Sequence, residues 1–172
     1  MTTLLPDEPS LGRGKSTLAI NESTNQMVMK ATVNNLTGVT TGSHIHGPTP
    51  TPFDGTAGTI TPHNIAGFPL GVSTFSYEQT FDLLAASTYS SSFVTANGGV
   101  AGARDAFLAA LQDNKAYLKI HSSIHSGELK GFYQQQAPGP LPLLGVGAAF
   151  GYSRRLRQRL GTRGGTRLTT SA

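Results

Sequence analysis

Four of the five histidines in the chain stand where their imidazole nitrogens could share one metal ion: His44, His46, His63 and His121. His44 and His46 are separated by a single residue, so on a β-strand both side chains point to the same face. Copper and zinc both bind imidazole nitrogen readily. We predict that His44, His46 and His121 converge around one copper or zinc ion, with His63 as an optional fourth ligand.

Two other interpretations of these residues stay open. A buried histidine donates to a backbone carbonyl, or caps a loop, more often than it binds a metal. Ser122, His121 and Glu128 could also be arranged as the nucleophile, base and orienting acid of a hydrolase. Serine and threonine are so frequent in this chain that such coincidences are expected, so we favour binding or a structural role over turnover. We expect His125 to face solvent, and Glu128 to be either an oxygen ligand or part of a turn.

The histidines lie in segments typical of short strands joined by turns. The chain has only 13% charged residues and is rich in glycine, serine and threonine, which favours an all-β fold. Alternating apolar residues predict a hairpin around a polar turn near Asn21, and strands on both sides of the loop that follows His121. Predicted elements are strands at 17–20, 27–33, 58–61 and 72–77, a strand carrying His44 and His46, and one short helix near 104–113.

Charge is distributed unevenly along the chain. Residues 1–136 carry seven Lys and Arg against nine Asp and Glu, whereas residues 137–172 carry six Arg and no acid. The basic character therefore belongs to the C-terminal end and not to a patch on the fold, and we predict no nucleic-acid binding. The chain has no cysteine, so disulfides, thiolate metal sites and a cysteine nucleophile are excluded.

Two segments resemble the chordin-type repeat known as the CHRD domain. They are "NLTGVTTGSHIHGPTP" and "FLAALQDNKAYLKIHSSIHSGELKGFY", which match the family's patterns in order over about residues 5–134. The resemblance implies an antiparallel, immunoglobulin-like β-sandwich or barrel, with a binding or structural role outside the cytoplasm. It also implies that Gly127 allows the turn that returns Glu128 to the sheet. From the resemblance we expect the family's first strand to be shortened here to "TTLLPDEPS".

The order of the four histidines is also similar to that of the copper ligands of Cu/Zn superoxide dismutase, which is itself a β-barrel. In both, a His-X-His pair is followed by a histidine after a loop and by a late histidine. The chain departs from that enzyme in lacking a histidine-rich zinc loop, a cysteine pair and an arginine after His121 within residues 1–136. This resemblance implies a copper or zinc binding protein as the alternative function.

The C-terminal residues resemble a bacterial PEP-CTERM sorting signal of the Pro-Gly-Pro-Leu-Pro kind found in cyanobacteria. Prolines, an apolar stretch and an Arg cluster follow one another in "PGPLPLLGVGAAFGYSRRLRQRL". The resemblance implies a short apolar helix in the membrane, processing by an exosortase enzyme, and delivery to the cell surface or extracellular matrix. We expect a CHRD domain at 1–136, a sorting segment at 137–160 and a disordered tail at 161–172, with an export signal encoded upstream of Met1.

Overall fold

The computed structural model describes residues 1–135. The apolar helix, sorting segment and disordered tail predicted for residues 137–172 lie outside the described part of the chain. Among residues 1–135, no helix has both the length and the apolar character needed to cross a membrane.

Residues 1–135 form seven β-strands, two α-helices and one short 3₁₀ helix at Ala86–Thr88. The strands are β1 Thr2–Pro6, β2 Arg13–Asn21, β3 Gln26–Asn34, β4 Thr40–His46, β5 Phe75–Asp82, β6 Tyr117–Ser122 and β7 Leu129–Phe132. The helices are α1 Ser91–Ala96 and α2 Val100–Gln112. This set of elements, in which strands predominate, confirms the prediction of an all-β fold.

The seven strands form one curled antiparallel sheet, a half-barrel, in the order β4-β6-β7-β1-β2-β3-β5. Strand β1 joins its two parts, because Thr2 to Leu4 pair with β2 whereas Leu5 and Pro6 pair with β7. The architecture is consistent with the sandwich or barrel that the CHRD resemblance implies. It also makes β4 and β6 neighbours, although more than 70 residues separate His44 from His121.

The core lies on the inner face of the curled sheet. Along β3, Met27, Met29, Ala31 and Val33 are buried while the residues between them are exposed or half-buried, which is the period-two pattern of a strand with one covered face. Helix α2 contributes Phe107, whose side chain is fully buried. The large apolar side chains of β3 and α2 therefore lie on the inner side of the sheet, and the outer face carries other residues.

Most elements lie where the sequence predicts them, with shifted bounds. The hairpin of β2 and β3 is confirmed, and α2 begins four residues before the predicted helix. Helix α1 was not predicted, and the strand expected at 72–77 begins only at Phe75. The strand expected at 58–61 is wrong: in this segment Thr59 forms an isolated bridge with His46, and Ile60 donates its N–H to the Ile45 carbonyl.

Candidate metal centre

The register between β4 and β6 decides which side chains share the outer face. Gly42 lies opposite His121, His44 opposite Lys119, and His46 opposite Tyr117. Residues directly opposite in an antiparallel pair point to the same side, so three histidines, Lys119 and Tyr117 occupy one face. The intervening side chains, such as that of the fully buried Ile45, enter the core from the other face.

A long connection covers this part of the outer face. Residues 47–64, which we call the strap, leave β4 and fold back over it. The strap is held by backbone bonds from Gly47 N–H to the Gly58 carbonyl and from Ile60 N–H to the Ile45 carbonyl. Lys130 adds a bond from its Nζ to the Gly55 carbonyl at 3.0 Å. Side chains that would otherwise face solvent are therefore enclosed.

Under the strap, the imidazoles of His44, His46 and His121 converge. One ring nitrogen from each lies within 4.8 Å of the other two. The Nε2 atoms of His44 and His121 are 3.2 Å apart, and the ring centroids of His44 and His46 are 4.4 Å apart. Three separate positions in the sequence thus supply one group of nitrogen donors.

The other nitrogen of each ring is fixed by a backbone carbonyl. His44 Nδ1 lies 3.1 Å from the His63 carbonyl oxygen, His46 Nδ1 lies 2.8 Å from that of Ala57, and His121 Nδ1 bonds to that of Ser126. A carbonyl oxygen only accepts, so each Nδ1 must carry the hydrogen. In the neutral rings the Nε2 atoms are therefore unprotonated, and their lone pairs are available to a metal ion.

Burial keeps these rings neutral. It lowers the pKa of His44 to about 4, against the opposing effect of its bond to the His63 carbonyl. Burial is also the main cause of the lowered pKa of His46 and of His121, and the charge of Lys119 lowers both further. At neutral pH the three imidazoles are thus in the form that binds metals. Among the described residues, the buried Nε2 of His46 has no hydrogen-bond partner.

An aromatic stack supports His46 from the side of β6 and β7. The ring of Tyr117 lies parallel to that of His46, with centroids 4.7 Å apart and planes 5° apart. The Nζ of Lys130 lies 4.4 Å from the centroid of Tyr117, and Phe132 packs against the same ring. This stack was not predicted, although the alternation of Tyr117, Lys119 and His121 along one strand indicates that their side chains share a face.

His63 lies outside the group of three. Its side chain is exposed on the strap, with its ring centroid 5.0 Å from that of His44 and 5.9 Å from that of His121. Its backbone carbonyl is the acceptor that orients His44. The structure therefore places His63 beside the cluster, where its main chain positions a neighbouring ring.

His125 and Glu128 lie elsewhere. The prediction that His125 faces solvent is wrong, because its side chain is only 16% exposed and its Nδ1 lies 3.1 Å from Glu8 Oε2. Glu128 is fully buried and accepts hydrogen bonds from the Ser10 hydroxyl and from the backbone N–H groups of Thr37 and Gly38. Glu128 thus ties the loop before β2 and the turn before β4 to β7.

These hydrogen bonds control the ionisation of Glu128. Burial alone would raise the pKa of the carboxyl group, but donors that include the Ser10 and Ser122 hydroxyls outweigh this effect and lower the pKa to about 2. Glu128 is therefore a structural anion and not a ligand of the histidine group. The hydrolase arrangement is not assembled either, because both ring nitrogens of His121 have other neighbours and Ser122 accepts from the N–H groups of Ile124 and His125.

Gly127 lies in the turn before β7, and its φ is outside the left-handed region. A Cβ atom at this position would lie 1.9 Å from Cε of Lys119. A side chain here would therefore displace the flexible end of Lys119, which pairs with Asp7.

The fold is an all-β domain with one curled antiparallel sheet. Glu128, in the second of the two CHRD-like segments, accepts from Thr37 and Gly38 in the first, so the two segments are in contact. Residues 2–133 match the model of the CHRD domain, and the chain belongs to this family of extracellular-type domains. Searches of curated proteins and of solved structures found no match.

Proposed function

We propose that this protein is exported and acts at the cell surface or in the extracellular matrix, as a binding or structural domain without catalytic turnover. The match of residues 2–133 to an extracellular-type family is the observation that carries this proposal. The domain spans residues 1–136, followed by a sorting segment at 137–160 and a tail at 161–172.

The tail supports delivery through an exosortase-type enzyme. In the sequence, prolines precede an apolar stretch that ends at a cluster formed by Arg154, Arg155, Arg157 and Arg159. Arginines that follow an apolar segment favour the cytoplasmic side of a membrane, so they would hold the end of the chain inside while the domain stays outside. The membrane and the processing enzyme are then the partners of this segment.

Expression behind a secretory signal peptide, in a bacterium that has an exosortase, tests the sorting role. We expect the full chain to appear at the surface or in the matrix with a mass that shows loss of its C-terminal segment. A matched variant without residues 137–160 should be exported but remain unprocessed. Full-length chains that keep their tail and distribute like the deletion variant would contradict the sorting proposal.

We propose metal binding by His44, His46 and His121 as a second candidate function. The observation that favours it is the approach of three ring nitrogens within 4.8 Å, each on a ring whose Nδ1 lies against a carbonyl oxygen. Lone pairs at this separation repel one another unless a proton or a cation lies between them. Carbonyl groups that orient metal-binding histidines in this way are a recurrent feature of zinc and copper sites.

Calorimetric titration of the full chain with Zn(II) and with Cu(II) tests this second candidate. We expect one ion per chain and a dissociation constant well below millimolar. Replacing His44, His46 or His121 by alanine should weaken binding at least ~10-fold, which corresponds to about 1.4 kcal/mol. His125→Ala is the matched control, because His125 pairs with Glu8 outside the group, and it should leave the affinity unchanged. Binding no tighter than millimolar in the unaltered chain would rule out the site.

A further inference from the structure

The donor set of the histidine group brings no negative charge to a bound ion. The three ligand atoms are neutral imidazole nitrogens. The carboxylates of neighbouring segments have other partners: Glu128 accepts from the Ser10 hydroxyl and from backbone N–H groups, Asp7 Oδ2 lies 3.0 Å from Lys119 Nζ, and Glu8 pairs with His125. The chain has no cysteine that could supply a thiolate. A bound ion would therefore keep its full charge.

The surroundings make that charge costly. His44 is only 4% exposed and the free Nε2 of His46 is buried, while His46 and His121 as whole residues are half-buried. The cost of moving an ion from water into such a site rises with the square of its charge, so a divalent ion loses much more than a monovalent ion. Lys130, above Tyr117, adds a positive charge to the same face, and Lys119, opposite His44 in the register, adds a second charge that its ion pair with Asp7 partly offsets.

The number of donors has the same consequence. Zinc in proteins takes four ligands, and water is the fourth where the protein supplies three histidines. Cu(II) prefers at least four ligands in a tetragonal arrangement. The group supplies three, and His63, the nearest further histidine, is exposed and outside it. Cuprous copper is satisfied by three nitrogen donors. Charge and coordination number therefore both favour Cu(I) over Cu(II).

We infer that the three-histidine group is a site for copper in the cuprous state, which it binds in preference to cupric copper. The inference rests on the metal-binding function proposed above and adds the identity and charge of the ion. Lys119 acts through its charge and does not contact the metal. Its ammonium group disfavours the divalent ion more than the monovalent ion.

The midpoint potential of copper bound to the full chain measures this preference directly. We expect a potential higher than that of aqueous copper by at least ~60 mV. For this one-electron couple, such a shift means that the dissociation constant of Cu(I) is ~10-fold lower than that of Cu(II). Lys119→Gln should lower the potential. Lys30→Gln, on the exposed outer face of β3, is the matched control and should leave it unchanged.

His63→Ala tests the number of donors to Cu(I). Cu(I) affinity, measured by competition with a chromophoric cuprous chelator under anaerobic conditions, should change less than ~3-fold, because His63 lies outside the group of three. A loss of Cu(I) affinity of ~10-fold or more would show that His63 is a ligand and would overturn the three-donor site. A potential at or below that of aqueous copper, with copper bound, would overturn the cuprous preference alone. Failure of both Cu(I) and Cu(II) to bind more tightly than millimolar would overturn the metal site itself.

Discussion

The two parts of the outer sheet face follow the same alternation but have opposite surroundings. On β4, β6 and β7, outward side chains such as those of His44 and Tyr117 are buried beneath the strap. On β2, β3 and β5, the outward Lys15, Lys30 and Glu78 are exposed to solvent. The alternation along each strand thus determines which side chains point away from the core. The connection that follows the strand determines whether those side chains are covered, as at the histidine group, or exposed to solvent.

The connections of the two parts differ in length and in chemistry. The turn between β2 and β3 is short and is closed by Asn21, whose side-chain oxygen accepts from the backbone N–H groups of Ser23 and Thr24. The strap is long, and it offers the carbonyls of Ala57 and His63 to histidine rings. A surface becomes a candidate site here because a loop brings hydrogen-bond acceptors to it.

The largest expected difference between the two regions concerns their carboxylates. Glu128→Gln should lower the free energy of unfolding by about 2–4 kcal/mol, because it weakens charged hydrogen bonds to buried donors. Glu78→Gln, which removes an exposed ion pair with Lys30, should change it by less than about 0.5 kcal/mol. Urea unfolding of both variants at pH 7 provides the comparison. Equal losses would contradict the assignment of Glu128 as a buried structural anion.

Acid should destabilise the protein by protonating Glu128. The pKa of Glu128 is about 2 in the folded protein, below the ordinary value of 4.5 that the unfolded chain has. The unfolded state therefore binds a proton first, so the stabilisation by Glu128 is complete above about pH 5 and is lost as the pH falls toward 2. Thermal unfolding between pH 6 and 2 should show a steep fall in melting temperature for the unaltered chain. Glu128→Gln should lack this component, and parallel curves for the two proteins would contradict the prediction.

The aromatic stack gives a smaller and more specific effect. Tyr117→Leu should lower the stability by about 1–2 kcal/mol and weaken metal binding several-fold, because it releases the ring of His46. Tyr89→Leu is the control, since Tyr89 is buried near α1 and α2, with its hydroxyl bonded to the Leu83 carbonyl. The control should lose stability but keep its metal affinity in titrations. A similar loss of affinity in both variants would show that the stack has no specific role.

Local patterns were sufficient for most of the fold and for the face shared by His44 and His46. Alternation in β3 and the polar turn after β2 predict a hairpin from residues close in sequence. The CHRD resemblance implied that the "LTG" turn and Glu128 belong to one domain, and the structure gives the reason, because Glu128 accepts from Thr37 and Gly38.

The remaining features depend on contacts that no local pattern records. The pairing of His125 with Glu8 joins residues 117 positions apart, so an exposed histidine was the natural but wrong prediction. The path of the strap is set by backbone bonds to β4 and by Lys130, which also explains why residues 58–61 do not extend the sheet. The stack of Tyr117 on His46 requires the register of β4 and β6, which only the structure supplies.

X-ray absorption of the zinc-loaded full chain, carrying both His63→Ala and His125→Ala, tests the central claim most directly. This variant retains only His44, His46 and His121 as histidines. The convergence of one ring nitrogen from each of the three predicts one tightly bound ion with three imidazole nitrogens at about 2.0 Å. A zinc ion surrounded by oxygen, with one imidazole or none, would show that the three rings do not form a metal site.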